Sequence, residues 1–214
     1  MRLLNDMYEL ISATPSPYAR KVRIALIEKG IAFTLRTEVP WHADTATPAY
    51  NPLEKLPVLV LPDGQGIYES RFILEWLEVH YPDPPLLPRD PVLALQARQI
   101  EVICDGICDA TVLLFFERRR EAPSAPWMAR QRRKIDGGLS ALERLAGPGF
   151  LVDDRFGLAD ICVGTVLRYL TVRYPDHPWR DTHSGLVAMS GRLETRASFA
   201  ASVPVPQSIV EAVV

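Results

Sequence analysis

The stretch Ala13-Thr14-Pro15-Ser16-Pro17-Tyr18-Ala19-Arg20-Lys21-Val22-Arg23-Ile24-Ala25-Leu26 joins a short apolar run to a helical pattern. The run from Met7 to Ser12 reads as a strand. The pattern after it sets Val22, Leu26 and Ile27 on one helical face and Arg20, Lys21 and Arg23 on the other. Ser16-Pro17 stands at the junction. Proline suits the first helical position, where its missing N–H would be unpaired anyway. Serine before it suits the cap. A hydroxyl at that point also faces the positive end of a helix dipole, which is a good place to hold an anion.

Working outward, the helix from Pro17 to Lys29 closes at Gly30, and Ile31 to Thr37 reads as a second strand. Strand, helix and strand in this order predict two parallel strands. Trp41 to Tyr50 reads as a short helix or a loop. Val58 to Leu61 is a continuous apolar strand, Pro62-Asp63-Gly64 is a turn signal, and Gly66-Ile67-Tyr68 returns as a hairpin partner. A helix follows from Ser70 to His80, with Phe72, Ile73, Trp76 and Leu77 at helical spacing.

Tyr81 to Pro91 then carries five prolines and can be neither helix nor central strand. It reads as a semi-rigid linker. Beyond it the pattern is helical: Val92 to Glu121, Pro126 to Ala146, the strongly apolar Gly157 to Arg173, and Gly185 to Thr195. The tail from Val203 reads as extended. The expected organisation is therefore a mixed α/β domain over residues 1–81, a linker over 82–91 and an all-helical domain over 92–214. No internal repeat is visible.

The chain has 214 residues and a net charge of −2. Its basic residues form no long block, so nucleic acid and anionic membrane surfaces are not expected partners. The one concentration, Arg118 to Arg120 with Arg130, Arg132, Arg133 and Lys134, reads as a solvated helix face. No apolar run approaches a membrane span. Met1 to Asp6 lacks a signal-peptide core, which predicts a cytoplasmic protein. The three cysteines, Cys104, Cys108 and Cys162, are scattered and without a nearby histidine. They read as core packing rather than a metal or redox pair.

Two further motifs carry chemistry. In Asn51-Pro52-Leu53-Glu54-Lys55-Leu56-Pro57-Val58, a cis peptide before Pro57 would turn the Leu56 backbone outward, free to pair with an extended peptide-like ligand. A trans proline that merely starts a strand is the plainer alternative. In Tyr68-Glu69-Ser70, the serine and the first N–H groups of the next helix can hold a carboxylate, and Glu69 can accept from an ammonium. Alternatively Ser70 is only the cap, and Glu69 only a favourable charge near it.

Taken together, these residues resemble the cytosolic glutathione transferase family, closest to bacterial members with a Ser-Pro-Tyr/Phe motif. Ser16-Pro17-Tyr18-Ala19-Arg20-Lys21-Val22-Arg23, Asn51 to Val58 and Tyr68-Glu69-Ser70 match its thioredoxin-like half. Leu86 to Pro91 and Gly157-Leu158-Ala159-Asp160-Ile161 match its all-helical half. The resemblance runs over roughly residues 6 to 200. One departure is Gly157, where the family has a Ser or Thr that completes a capping box with the Asp three residues later.

The resemblance implies an α/β thioredoxin-like domain followed by an all-α helical bundle, and a cis Pro57. It implies glutathione as co-substrate, with no metal. Ser16 is then nearest the sulfur, Thr14 being a second hydroxyl two residues earlier. Leu56 pairs with the cysteinyl part, Glu69 and Ser70 hold the γ-glutamyl end, and Lys55 approaches the glycyl carboxylate, with His42 a weaker contender. The implied activity is transfer of glutathione to a hydrophobic electrophile, a detoxifying reaction, in a homodimer. The electrophile is expected against the Val92–Glu121 helix, near Asp105, Asp109, Val112 and Phe116. An isomerase or dehalogenase on the same fold, or a non-catalytic binding protein, are the rival readings. A thiol-disulfide enzyme is disfavoured because the segment from Ala13 to Arg23 holds no cysteine.

Overall fold

In the computed structural model, which describes residues 7–210, the chain divides into two compact units. One holds the chain up to Pro85 together with the segment that begins at Ser202; the other is Leu86–Ala201. Met1 to Asp6 and the last four residues lie outside the described residues.

The first unit is built on β1 (Tyr8–Ser12), α1 (Pro17–Glu28), β2 (Phe33–Thr37), β3 (Val58–Val60), β4 (Gly66–Tyr68) and α2 (Ser70–His80). The sheet order is β2-β1-β3-β4. β1 and β2 are parallel because α1 carries the chain back between them, β3 pairs antiparallel with β1, and β4 folds back antiparallel to β3 as a hairpin. The hairpin turns at Gly64, whose φ of +91° suits a residue without a Cβ. Ile11 pairs with Val58, and Val58 pairs with Tyr68. The end of β1, the start of β3 and the end of β4 therefore lie in one row, at one end of the sheet. Thr37, paired with Ser12, brings the end of β2 to the same place. A single 3-10 turn, Thr47–Ala49, lies in the connection that follows. The Leu56–Pro57 and Asp83–Pro84 peptides are cis.

The charged face expected for α1 is wrong at two positions. Arg20 and Lys21 are buried. Arg20 donates from Nε to the Ser202 carbonyl at 3.0 Å, so a residue of the C-terminal segment satisfies it. At the other end of α1, the Lys29 ammonium reaches Glu78 Oε1 at 2.6 Å, the Tyr81 carbonyl at 2.7 Å and the Pro84 carbonyl at 2.9 Å. Its three donors meet three acceptors, and the chain leaving α2 is tied to α1.

The second unit is all helix: α3 (Pro91–Glu117), α4 (Ala125–Glu143), α5 (Leu158–Arg173), α6 (Trp179–Thr182), α7 (Ser184–Glu194) and α8 (Ala197–Ala200). α5 is buried along most of its length and packs against α3 and α7, while α4 packs on α3. Cys104, Cys108 and Cys162 are buried free thiols. Gly157 precedes α5 because no side chain fits there: a Cβ would lie 2.6 Å from the Leu86 carbonyl oxygen. That same carbonyl accepts from the Leu158 N–H at 2.7 Å. Asp160 then reaches back alone, accepting the Gly157 N–H at 3.1 Å.

Candidate functional site

The row Ile11, Val58, Tyr68 decides where the site lies. The chain leaves β1 and enters α1 at Ser16, enters β3 from Leu56, and leaves β4 into α2 at Glu69. All three junctions open at one end of one sheet. Ala13 and Leu56 share a buried cluster with Ile11 and Val58, which holds the first two junctions together. Two helix N-termini, with their positive dipole ends, arrive at the same edge.

Ser16 caps α1: its Oγ accepts the Ala19 N–H at 3.2 Å. Its own N–H closes a turn onto the Ala13 carbonyl at 3.0 Å. A hydroxyl that accepts in this way keeps its proton to donate elsewhere, and Ser16 is only partly buried. The cap and an anion ligand are thus compatible in one oxygen. Thr14 is also partly covered, and its carbonyl accepts the Val205 N–H at 3.4 Å.

Glu69, not Ser70, is the N-cap of α2. It accepts the Arg71 N–H at 3.4 Å and the Ser70 hydroxyl at 3.3 Å. Its φ of 71° is rare for a non-glycine residue and points to a functional constraint. Glu69 is exposed and Ser70 buried, so the carboxylate stands at the surface with the hydroxyl beneath it.

Leu56 lies just before the ladder, which begins at Val58. The loop that presents it is pinned by buried Asn51, whose side chain donates to the Lys55 carbonyl at 2.8 Å and accepts the Leu53 N–H at 2.9 Å. Lys55 itself is exposed. His42 lies in the loop after β2, where its Nε2 accepts the Val210 N–H at 3.4 Å.

Sequence reading missed Glu38. Arg36 Nη2 meets its carboxylate at 2.6 Å, Thr45 donates at 2.7 Å and Thr47 at 3.2 Å. Burial works to raise the Glu38 carboxyl, but the hydrogen bonds from Thr45 and Arg36 overcome it and hold it below its ordinary value. Glu38 thereby fixes the loop that carries His42. Its only local signal was a carboxylate just past β2, which is too common to single out.

In the helical unit, Asp105, Val112 and Phe116 on α3 are partly buried and Asp109 is exposed. Among the described residues no group of His, Cys, Asp or Glu could hold a metal ion. No described helix is long and apolar enough to cross a membrane.

A thioredoxin-like unit with a hydroxyl at the first helix start, followed by an all-helical unit, defines a class of two-domain protein. The model of the glutathione S-transferase N-terminal domain matches residues 15–80, and that of the C-terminal domain matches residues 125–188. A glutathione S-transferase from Methylobacterium radiotolerans, solved in complex with glutathione sulfonate, is 61% identical with a TM-score of 0.95, covering 97% of this chain and 100% of that one. The uncharacterized GST-like protein YibF of Escherichia coli is 37% identical over 92% of this chain and 98% of its own. Maleylacetoacetate isomerase of Pseudomonas aeruginosa is 32% identical over 66% of this chain and 71% of its own. The chain belongs to the glutathione S-transferase family.

Proposed function

We propose that the protein transfers glutathione to small apolar electrophiles, with Ser16 stabilising the thiolate. The observation that carries this reading is the Ser16 hydroxyl, which accepts from Ala19 at the start of α1 and keeps a proton to donate. In this account Leu56 pairs with the cysteinyl backbone and Lys55 meets the glycyl carboxylate. Glu69 accepts from the γ-glutamyl ammonium, while Ser70 and the first N–H groups of α2 hold its carboxylate.

A free thiol has a pKa of about 8.5, and the thiolate is the nucleophile. Lowering that value by about two pH units takes roughly 2.7 kcal/mol of preferential stabilisation. A hydroxyl hydrogen bond to an anion contributes about 1.5–3 kcal/mol, and the helix end about 0.3–1 kcal/mol. The two terms suffice. The thiol proton leaves to solvent. The sulfur lone pair then forms the C–S bond as the electron pair of the broken bond departs with the leaving group. Ser16 stays a hydrogen-bond donor throughout and forms no covalent bond.

The likeness to maleylacetoacetate isomerase supports a second reading on the same residues. There the thiolate adds to a conjugated double bond, rotation follows, and glutathione is expelled unchanged. Product analysis separates the two: conjugation consumes glutathione and isomerisation does not. A test common to both is titration with reduced glutathione beside Ser70→Ala. Saturable binding that weakens in the variant supports the pocket. No binding to the parent protein overturns both readings.

We also propose a homodimer working in the cytoplasm. Phe72 and Val79 on α2, and Val92, Leu95 and Val102 on α3, are large apolar side chains exposed to solvent at helical spacing, as expected of faces that a second copy covers.

A further inference from the structure

The end of the sheet away from the three junctions carries a cavity of its own. Tyr8 opens β1 and Ser12 closes it, so the two ends of the strand stand about 13 Å apart. Around the Tyr8 end lies an open cavity of about 630 Å³. That size falls within the roughly 300–1,000 Å³ of sites that hold small organic molecules. Its lining comes from the start of β1, the turn after α1 and Tyr81 after α2, all within the first unit.

Met7, Ile31 and Ala32 supply apolar surface, and Met7 is 39% exposed. Lys29 also lines the cavity, but its three donors are already taken by Glu78 and two carbonyls, so it offers a ligand no free charge. The polar wall is the Tyr8–Tyr81 pair, whose hydroxyl oxygens lie 2.6 Å apart. One O–H is spent within the pair and the other proton remains to donate. Among the described residues neither hydroxyl has a further partner. Burial, and after it the bond to Tyr81, push the Tyr8 hydroxyl up to about 12, so Tyr8 keeps its proton at neutral pH. Trp76 packs edge-on against Tyr8 at 6.0 Å and fixes its ring. α1 ends beside the cavity at Gly30, whose φ of +66° closes the helix and where a Cβ would meet nothing within 4 Å. The negative end of the α1 dipole therefore lies here, opposite in sign to the end at Ser16.

We infer that this cavity is a second small-molecule site, separate from the glutathione junctions, for an uncharged flat aromatic ligand that carries a hydrogen-bond acceptor such as a carbonyl. A thioether and two phenol rings suit an aromatic partner. The acceptor takes the spare hydroxyl proton of the Tyr8–Tyr81 pair. A carboxylate in its place meets the negative end of α1 and no free ammonium. The site does not depend on the roles assigned to Ser16, Leu56, Glu69 or Ser70.

The probe is 6-propionyl-2-dimethylaminonaphthalene, a neutral fluorophore with one carbonyl, whose emission reports the polarity around it. It is titrated into the full chain with saturating S-hexylglutathione, which occupies the proposed glutathione site and whose hexyl tail takes the place of an electrophile. Saturable probe binding is expected to persist. Ala32→Trp fills the cavity from an exposed position and is expected to weaken it about fivefold or more. Tyr8→Phe/Tyr81→Phe removes both hydroxyls and is expected to weaken it about threefold or more. As competitors, 2-naphthoate is expected to displace the probe about fivefold less well than 2-acetylnaphthalene, its uncharged counterpart. The two variants reach the cavity from separate elements, so misfolding of one leaves the other to decide. Parent protein that does not bind the probe overturns the site, and so does binding that S-hexylglutathione abolishes or that the folded variants leave unchanged. Equal displacement by the two competitors overturns the ligand class. If S-hexylglutathione itself does not bind, the glutathione reading falls alone, and the comparison of Ala32→Trp with the parent still decides the cavity.

Discussion

Asp160 ties down the connection from α4 to α5 at two points: one carboxylate oxygen accepts the Gly157 N–H and the other the Leu151 N–H, both at 3.1 Å. Burial is the largest influence on it and pushes its carboxyl up to about 6, against those hydrogen bonds. The folded state therefore holds the Asp160 proton more tightly than the unfolded chain does. This contribution is intact below the unfolded value of about 4 and is lost as pH rises through about 6. Asp160→Asn lacks the titration. The stability advantage of the parent protein over Asp160→Asn should shrink by roughly 3 kcal/mol between pH 4 and pH 7. Denaturant melts at the two pH values measure it, and an advantage that grows with pH contradicts the assignment.

Lys29 ties α1 to the chain leaving α2. Lys29→Met keeps the apolar stem but leaves Glu78 and two carbonyls without their ammonium. Removing one partner of a buried pair costs about 3–5 kcal/mol. With Glu78 partly exposed, the low end applies, and a loss of about 3 kcal/mol lowers Tm by roughly 6–12 °C in a chain of this size. Calorimetric melting checks it; a shift below two degrees would show the pair to be dispensable.

Asn51 and Glu38 each hold a loop that the site needs. Asn51→Ala removes the donor to the Lys55 carbonyl and the acceptor of the Leu53 N–H. It should cost about 1–2 kcal/mol in stability and should also weaken glutathione binding. Asn51→Asp retains the acceptor and should recover part of the stability. Glutathione titrations of the two variants, normalised to their folded fractions, separate loop order from global stability. Undiminished affinity in Asn51→Ala would remove the loop from the account.

If the exposed apolar faces of α2 and α3 meet a second copy, sedimentation should give a dimer. Phe72→Glu should shift it toward monomer without lowering helical content by circular dichroism. A monomeric parent protein would leave those faces to another partner.

Much of this molecule was legible in its sequence because local rules govern it. Pro17 and Ser70 mark helix starts, Gly30 and Gly64 take positive φ, and Ile11, Val58 and Tyr68 sit in strands that turn chemistry delimits. What was not legible depends on distant partners. Arg20 and Lys21 look like a solvated face by periodicity, yet Arg20 is satisfied by a carbonyl 182 residues away. Gly157 looks like a lost cap until the Leu86 carbonyl is seen to occupy the space. Ser70 looks like the cap of α2, but the backbone of Glu69 turns one residue earlier than a serine cap would require. Glu38 and the C-terminal segment gain their roles only through the loop and the turn they grip.

The central claim is that Ser16 stabilises a thiolate, and the pKa of the bound glutathione thiol tests it most directly. Ultraviolet difference absorbance of the thiolate, followed against pH, reads that value in the parent protein and in Ser16→Ala. The account predicts a thiol titrating about two pH units below its free value of about 8.5 in the parent, and a return most of the way to that value in the variant, with turnover lost in step. An identical thiol pKa and turnover in both proteins would contradict it.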